Sequence, residues 1–111
     1  MLTAVGSDRM RGHLEGLLLA ALAGTASHGY DLAQRLDALS GGVLLVPEGS
    51  LYPALQRLER QGLVSSAWQV REGRRRRVYS LTPSGRRADD VSRAEWRAFS
   101  AAVDSVMGGR A

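Results

Sequence analysis

Residues 48–64 read EGSLYPALQRLERQGLV and hold a helix start, an apolar stripe, a basic face and a helix stop. Leu51, Leu55 and Leu58 recur at i, i+4 and i+7, so they share one side of an α-helix that packs inward. Ser50 suits an N-cap, since its hydroxyl can accept from a free backbone N–H of the first turn. Pro53 is tolerated only near a helix start, where its missing N–H leaves no intrahelical bond unmade. Gly62 fits the left-handed residue that follows a helix end. The opposite side carries Pro53, Gln56, Arg57 and Arg60, a face suited to an anionic surface.

The charge distribution strengthens that reading. All fifteen basic residues are Arg, which partly reflects a coding bias and makes the Arg count alone weak evidence for phosphate binding. Their placement says more. Residues 50–87 hold nine Arg against Glu59 and Glu72, net +7, whereas residues 1–49 and 88–111 carry −2 and −1. A basic middle between slightly acidic ends points to one polyanion site.

No Cys is present, which excludes disulfides, thiolate catalysis and Cys-ligated zinc. No apolar run approaches the roughly 20 residues that span a bilayer, so no membrane partner is expected. The Leu17–Ala23 run follows His13 and Glu15 and precedes no A-x-A-like cleavage site, so a signal peptide is not expected either. The expectation is a soluble cytoplasmic protein.

Outward from the central helix, residues 1–9 read as a flexible N-terminus. From Met10 to about Ala23, Leu14, Leu17, Leu18, Ala21 and Leu22 follow i, i+3, i+4, i+7, i+8, an amphipathic helix. Leu19 lies off that stripe and widens the apolar face, as a helix with two neighbours requires. A second helix is predicted over His28–Leu39, with Ser27 as its cap and Leu32, Leu36 and Leu39 inward. It stops at Gly41-Gly42, and Val43–Pro47 is a short apolar connector. Beyond the central helix, Leu63–Val70 and Arg75–Leu81 read as two strands joined by a Glu72-Gly73 turn signal. Arg71, Arg74, Arg75, Arg76 and Arg77 crowd the tip of that hairpin and repel one another unless something anionic lies beside them. Thr82-Pro83 then starts a last helix, running to about Met107 before Gly108-Gly109. Trp96, Phe99, Val103 and Val106 are spaced +3, +4, +3, the a/d spacing of a coiled-coil seam, over about two heptads.

Three helices, a hairpin and a last helix describe a mainly α chain with a small two-stranded antiparallel wing. The expected architecture is a winged helix-turn-helix over residues 10–81 followed by a C-terminal dimerisation helix over 82–111. In such a module the helix spanning Ser50–Gln61 enters the major groove of double-stranded DNA. The wing lies along the backbone or in the minor groove, where Arg suits the negative potential.

HGYDLAQRL at 28–36, EGSLYPALQRLERQGLV at 48–64 and GRRRRVYSLTPSGRR at 73–87 together resemble the PadR family of bacterial transcriptional regulators. The resemblance covers roughly Met10 to Arg87; the last helix matches only in position, length and its Trp, like the compact subgroup with one C-terminal helix. It implies a homodimer joined through the first and last helices on a palindromic operator, acting as a repressor relieved by a small, often aromatic, effector.

Each sharp assignment has a plainer rival. Arg57 and Arg60 suit DNA contact or a solvated helix face, and Arg57 is the stronger of the two. Ser50 suits a cap, a DNA contact or both. Tyr52 has an apolar body for packing against the connector and a polar tip, and Tyr30 suits a phosphate contact or the core. With Pro53 and Arg74–Arg77, these residues make up the expected DNA-binding set: Tyr30, Ser50, Tyr52, Pro53, Arg57, Arg74, Arg75, Arg76 and Arg77. The Arg74–Arg77 run is the clearest member, because folding gains nothing from clustering like charges. Trp96 reads as dimer core or as a platform stacking an effector, with Phe99, Leu18 and Leu22 completing a pocket. Asp89 and Asp90 would favour a cationic ligand there or complement the helix N-terminus. The expected dimer interface is Leu14, Leu18, Trp96, Phe99, Val103 and Val106.

Catalysis is not expected. His13 and His28 lie in no metal-ligand or HExxH-like spacing, no carboxylate pair accompanies them, and no phosphate-binding Gly loop follows a strand. No catalytic residue, cofactor or metal is assigned. The rival from another class is a winged-helix protein-interaction module without DNA binding, which would not require a +7 middle.

Overall fold

Leu51, Leu55 and Leu58 are at most 1 % exposed, and full burial of each such side chain is worth roughly 1.5–3 kcal/mol. The computed structural model describes Met10 and Gly12–Gly108; the segment read as a flexible N-terminus, 1–9, lies outside the described residues. The elements run α1 (Leu14–Gly24), β1 (Ser27–His28), α2 (Gly29–Leu39), α3 (Glu48–Arg60), β2 (Val64–Arg71), β3 (Arg74–Leu81) and α4 (Pro83–Met107). This is a mainly α winged helix-turn-helix fold with a long C-terminal helix. Among the described residues no helix is long and apolar enough to cross a membrane.

The core joins Leu18, Leu19 and Leu22 of α1, Leu32 and Leu36 of α2, the α3 stripe, Val64 and Tyr79. α1 begins at Leu14, later than the expected Met10. Its wide apolar face does meet several neighbours: α2, α3, β3 and α4 of its own chain. At the far end of α1, Arg35 of α2 donates to the Ala21 carbonyl at 2.7 Å and the Thr25 carbonyl at 3.2 Å. It thus satisfies acceptors that a helix end leaves without intrahelical partners.

Three local expectations need correction. Ser27 does not cap α2; it is buried in β1 opposite Tyr79, and His28 caps instead, its Nδ1 accepting from the Asp31 N–H at 3.4 Å. Strand pairing consumed the backbone that a Ser27 cap would have used. Leu39, expected inside, is 74 % exposed because it is the last residue of α2 and lies past the packed turns. Ser50 is not a cap either, since α3 begins at Glu48 with Pro47 as N-cap. Ser50 and Leu51 both donate their backbone N–H to the Pro47 carbonyl, at 2.9 and 3.0 Å. Pro53 therefore sits inside the helix, where its ring nitrogen cannot donate to the Gly49 carbonyl.

The C-terminus of α3 closes as expected on Gly62, at φ +76°. Leu63 N–H reaches the Leu58 carbonyl and Gly62 N–H the Glu59 carbonyl, both at 3.0 Å, the Schellman pair of bonds. These two bonds turn the chain directly into β2.

The sheet has three strands rather than two, in the order β1-β3-β2, all antiparallel. β2 and β3 pair from Val64↔Leu81 out to Arg71↔Arg74. Glu72 and Gly73 make the two-residue turn at φ 54° and 73°, the geometry whose twist suits a hairpin. α4 starts as its sequence indicates: Thr82 Oγ1 accepts from Gly85 N–H at 3.0 Å and donates to the Gly62 carbonyl at 2.7 Å, with Pro83 at the first helical position. One threonine therefore joins the end of α3 to the start of α4. Gly85 is required at this junction, because a Cβ there would collide with the Leu63 carbonyl oxygen.

Candidate nucleic-acid interface

The outer side of α3 and the hairpin that follows it carry seven of the fifteen arginines: Arg57, Arg60, Arg71 and Arg74 to Arg77. Ser50, Pro53 and Arg57, at i, i+3 and i+7, line one groove of about 520 Å³ against Leu14 and Glu15 of α1 and Val46 and Pro47 of the connector. Ser50 is half-buried, while Pro53 and Arg57 are exposed. Arg57 is not a free cation: its Nε lies 3.1 Å from Glu15 Oε2, an ion pair from the α3 surface to the first turn of α1.

Tyr52 is 36 % exposed, and its ring lies over Gly29. A Cβ at Gly29 would stand 2.5 Å from the Tyr52 ring, so the glycine lets α2 and α3 approach. Tyr30, in the first turn of α2, is 53 % exposed and belongs to the surface rather than the core.

Strand alternation divides the arginine run. Arg75 and Arg77 lie on one hairpin face with Trp68, and Arg74 and Arg76 lie on the other. The guanidinium carbons of Arg75 and Arg77 sit 4.8 and 5.4 Å from the Trp68 ring centroid. Arg77 Nε donates to Ser66 Oγ at 2.8 Å, Ser66 Oγ donates to Glu59 Oε2 at 2.6 Å, and Arg77 Nη2 stands 3.7 Å from the same carboxylate oxygen. Glu59 belongs to the last turn of α3, so this network fixes the hairpin against the helix. Burial pushes the Tyr79 phenol above its ordinary pKa, with nearby Glu59 and Tyr52 adding to the rise and Arg77 opposing it.

The four-arginine tip is thus less uniform than a bare charge run. Trp68, Ser66, Glu59 and Glu15 were not among the residues expected here. Trp68 had a readable signal: a two-residue turn at Glu72-Gly73 places Trp68 opposite Arg77 by counting alone. The Glu15–Arg57 pair had none, because it joins positions from different helices.

The residues expected to bind an effector are not brought together. Leu18 is 0 % and Leu22 is 2 % exposed, both inside the protomer core, so neither lines a surface with Trp96 and Phe99. The same burial removes Leu18 from the expected dimer surface, and Leu14 is partly buried against the core. Trp96 and Phe99 do meet, at 5.9 Å between ring centroids, and Trp96 also makes an edge contact with His13 at 5.6 Å. Trp96, Phe99 and Val106 are 55 %, 56 % and 84 % exposed, and Val103 is half-buried. Asp89 is 4 % exposed and bonded to Arg93 Nε at 2.9 Å, so it presents no carboxylate to that surface; Asp90 is exposed.

The family model of the PadR-like transcriptional regulators matches residues 18–90, which run from α1 through the hairpin into α4. The chain belongs to the PadR-like family. A transcriptional regulator of Mycobacterium tuberculosis is 43 % identical over 83 residues, covering 75 % of this chain and 72 % of that protein. Among solved structures, a transcriptional regulator from Clostridium thermocellum aligns with TM-score 0.83 at 27 % identity, over 91 % of this chain and 99 % of the other. A PadR-like transcriptional regulator from Bacillus cereus aligns with TM-score 0.82 at 27 % identity, over 94 % and 100 %. The protein is accordingly a PadR-like transcriptional regulator, and its winged helix-turn-helix is the fold of that family.

Proposed function

We propose that this PadR-like regulator is a homodimeric repressor that binds a palindromic DNA operator and releases it when a small aromatic effector binds. The observation that carries the DNA reading is the adjacency of two polar surfaces. α3, whose exposed side carries Pro53 and Arg57, is joined through Glu59 to a hairpin bearing Arg74 to Arg77, within a segment of net charge +7.

In this reading α3 of each protomer enters a major groove and chooses the sequence, with Ser50, Tyr52, Pro53 and Arg57 nearest the bases. The hairpin arginines and Tyr30 contact the backbone, which sets affinity and its salt dependence more than sequence choice. Two-fold symmetry of the dimer makes the operator palindromic, with half-sites about one DNA turn apart. The row of exposed Trp96, Phe99 and Val106 and half-buried Val103 on α4 supports dimerisation, because a second copy of the same row would cover it. An effector stacking on Trp96 and Phe99 would alter the α4 packing and so the spacing of the two α3 helices.

Selection of bound sequences from random duplexes, followed by binding measured at two salt concentrations, tests the DNA reading. The expected result is a palindromic site and a steep loss of affinity as salt rises. Negligible binding to any duplex at low salt would instead favour a winged-helix module that contacts only protein. Planar cationic dyes titrated into a Trp68→Phe variant test the effector reading; an unchanged Trp96 emission would refute it.

A further inference from the structure

We propose that the hairpin meets DNA phosphates through its Trp68 face and not through its Arg74/Arg76 face, with Trp68 acting as the positioning residue for Arg75 and Arg77. The proposal rests on the DNA-binding reading above and assigns the contact to the face with two arginines, Arg75 and Arg77, over the face with three, Arg71, Arg74 and Arg76.

Trp68 is 53 % exposed on the hairpin. An indole placed there gains little from burial, yet two guanidinium groups lie over it at 4.8 and 5.4 Å. Cation–π attraction accounts for both positions. A guanidinium stacked on a ring uses its flat face: Arg75 keeps its N–H edge, the part that matches phosphate oxygens bidentately, and Arg77, whose Nε is given to Ser66, keeps its terminal N–H groups. Arginine side chains ordinarily lose much rotamer freedom on binding. A ring that already holds two of them reduces that loss and raises affinity without adding charge.

The direction of the face follows from its attachment. Arg77 is bound to Ser66 and, across it, to Glu59 in the last turn of α3. The Trp68 face therefore adjoins the helix that reads the groove, and phosphates flanking that groove lie on its side. No aromatic ring stands under Arg74 or Arg76 among the described residues, and the neighbouring Arg71 is turned onto Gln69 at 3.0 and 3.2 Å. Arg74 and Arg76 contribute charge at a distance but no prepared donors.

Two double variants with the same loss of charge separate the faces. Binding of a labelled duplex by the full chain is followed by anisotropy over a range of KCl concentrations. Arg75→Gln/Arg77→Gln should weaken binding about tenfold more than Arg74→Gln/Arg76→Gln. It should also flatten the log–log salt slope by about 2, one unit for each lost phosphate contact. The single variants Arg75→Gln and Arg74→Gln repeat the comparison with the Glu59 bridge intact, so misfolding cannot imitate the result. Trp68→Ala changes no charge but should lower affinity several-fold, whereas Trp68→Phe keeps an aromatic face and should retain most of it. In a Trp96→Phe background, the Trp68 emission should change when DNA is added.

Equal losses from the two faces, or a larger loss from Arg74 and Arg76, would overturn the assignment while leaving DNA binding intact. Wild-type affinity in Trp68→Ala, or an unchanged Trp68 emission, would overturn the positioning role. Failure of the unaltered protein to bind any duplex would remove the reading on which the proposal rests.

Discussion

α3 and α4 carry apolar stripes of similar spacing and put them to opposite uses. In α3, Leu51, Leu55 and Leu58 are at most 1 % exposed, covered by α1, α2 and the sheet. In α4, Trp96, Phe99 and Val106 are more than half exposed, with His13 touching the edge of Trp96. Periodicity tells which residues share a side of a helix. It does not tell whether the cover comes from the same chain or from another. In the proposed homodimer a second copy of the α4 row supplies the cover that the α3 stripe finds within its own protomer.

Substitution in each stripe should break this comparison in a different way. Leu55→Ala should cost about 2–5 kcal/mol of protomer stability, by lost burial plus the cavity left behind. Urea unfolding should show that loss with little dependence on protein concentration. Trp96→Ala should barely change protomer folding but weaken self-association by about 2 kcal/mol, roughly a 30-fold rise in dissociation constant. Sedimentation against concentration measures it; an unchanged dimer would show that the α4 row has another purpose.

The polar side of α3 offers a finer test. Glu15 holds Arg57 at 3.1 Å with both side chains partly exposed, and such exposed pairs contribute at most about 1 kcal/mol. Glu15→Gln frees Arg57 and removes a negative charge beside the proposed DNA surface. DNA affinity should rise about two- to fivefold, with stability nearly unchanged. A fall in affinity would mean that Glu15 orients Arg57 for binding rather than restraining it.

The smallest effect concerns Tyr79 beside the α3 stripe. Burial raises its pKa in the folded state above the ordinary 10.0, so the folded chain holds the phenol proton more tightly than the unfolded chain. That stabilisation is complete below pH 10 and is lost as pH rises through the folded pKa. Tyr79→Phe should therefore leave neutral-pH stability almost unaltered and make the alkaline decline shallower, as thermal melts between pH 7 and 11 would record.

Much of the fold was legible because its signals are local. The Leu51–Leu58 stripe, Gly62 past the helix end, the Glu72-Gly73 turn and the Thr82-Pro83 start each depend on a few neighbouring residues, and each stands where expected. Local reading failed where distant backbone intervened. β1 is two residues long, too short for any alternation, and exists only because β3 offers an edge at Val78 and Tyr79. That pairing took Ser27 from its expected cap and passed the cap to His28. The start of α3 moved to Glu48 because Pro47 closes the first turn through its carbonyl, a bond that involves no side chain.

By itself, then, the sequence determined the helical stripes, the hairpin register and the concentration of positive charge between residues 50 and 87. These depend on residue spacing and composition, which any chain displays before it folds. Only the tertiary structure decided that Leu18 and Leu22 are core, that Glu15 restrains Arg57, and that Glu59 and Ser66 fix Arg77 beside α3. Each of those outcomes joins side chains from different elements, and no periodicity within one element encodes which faces will meet.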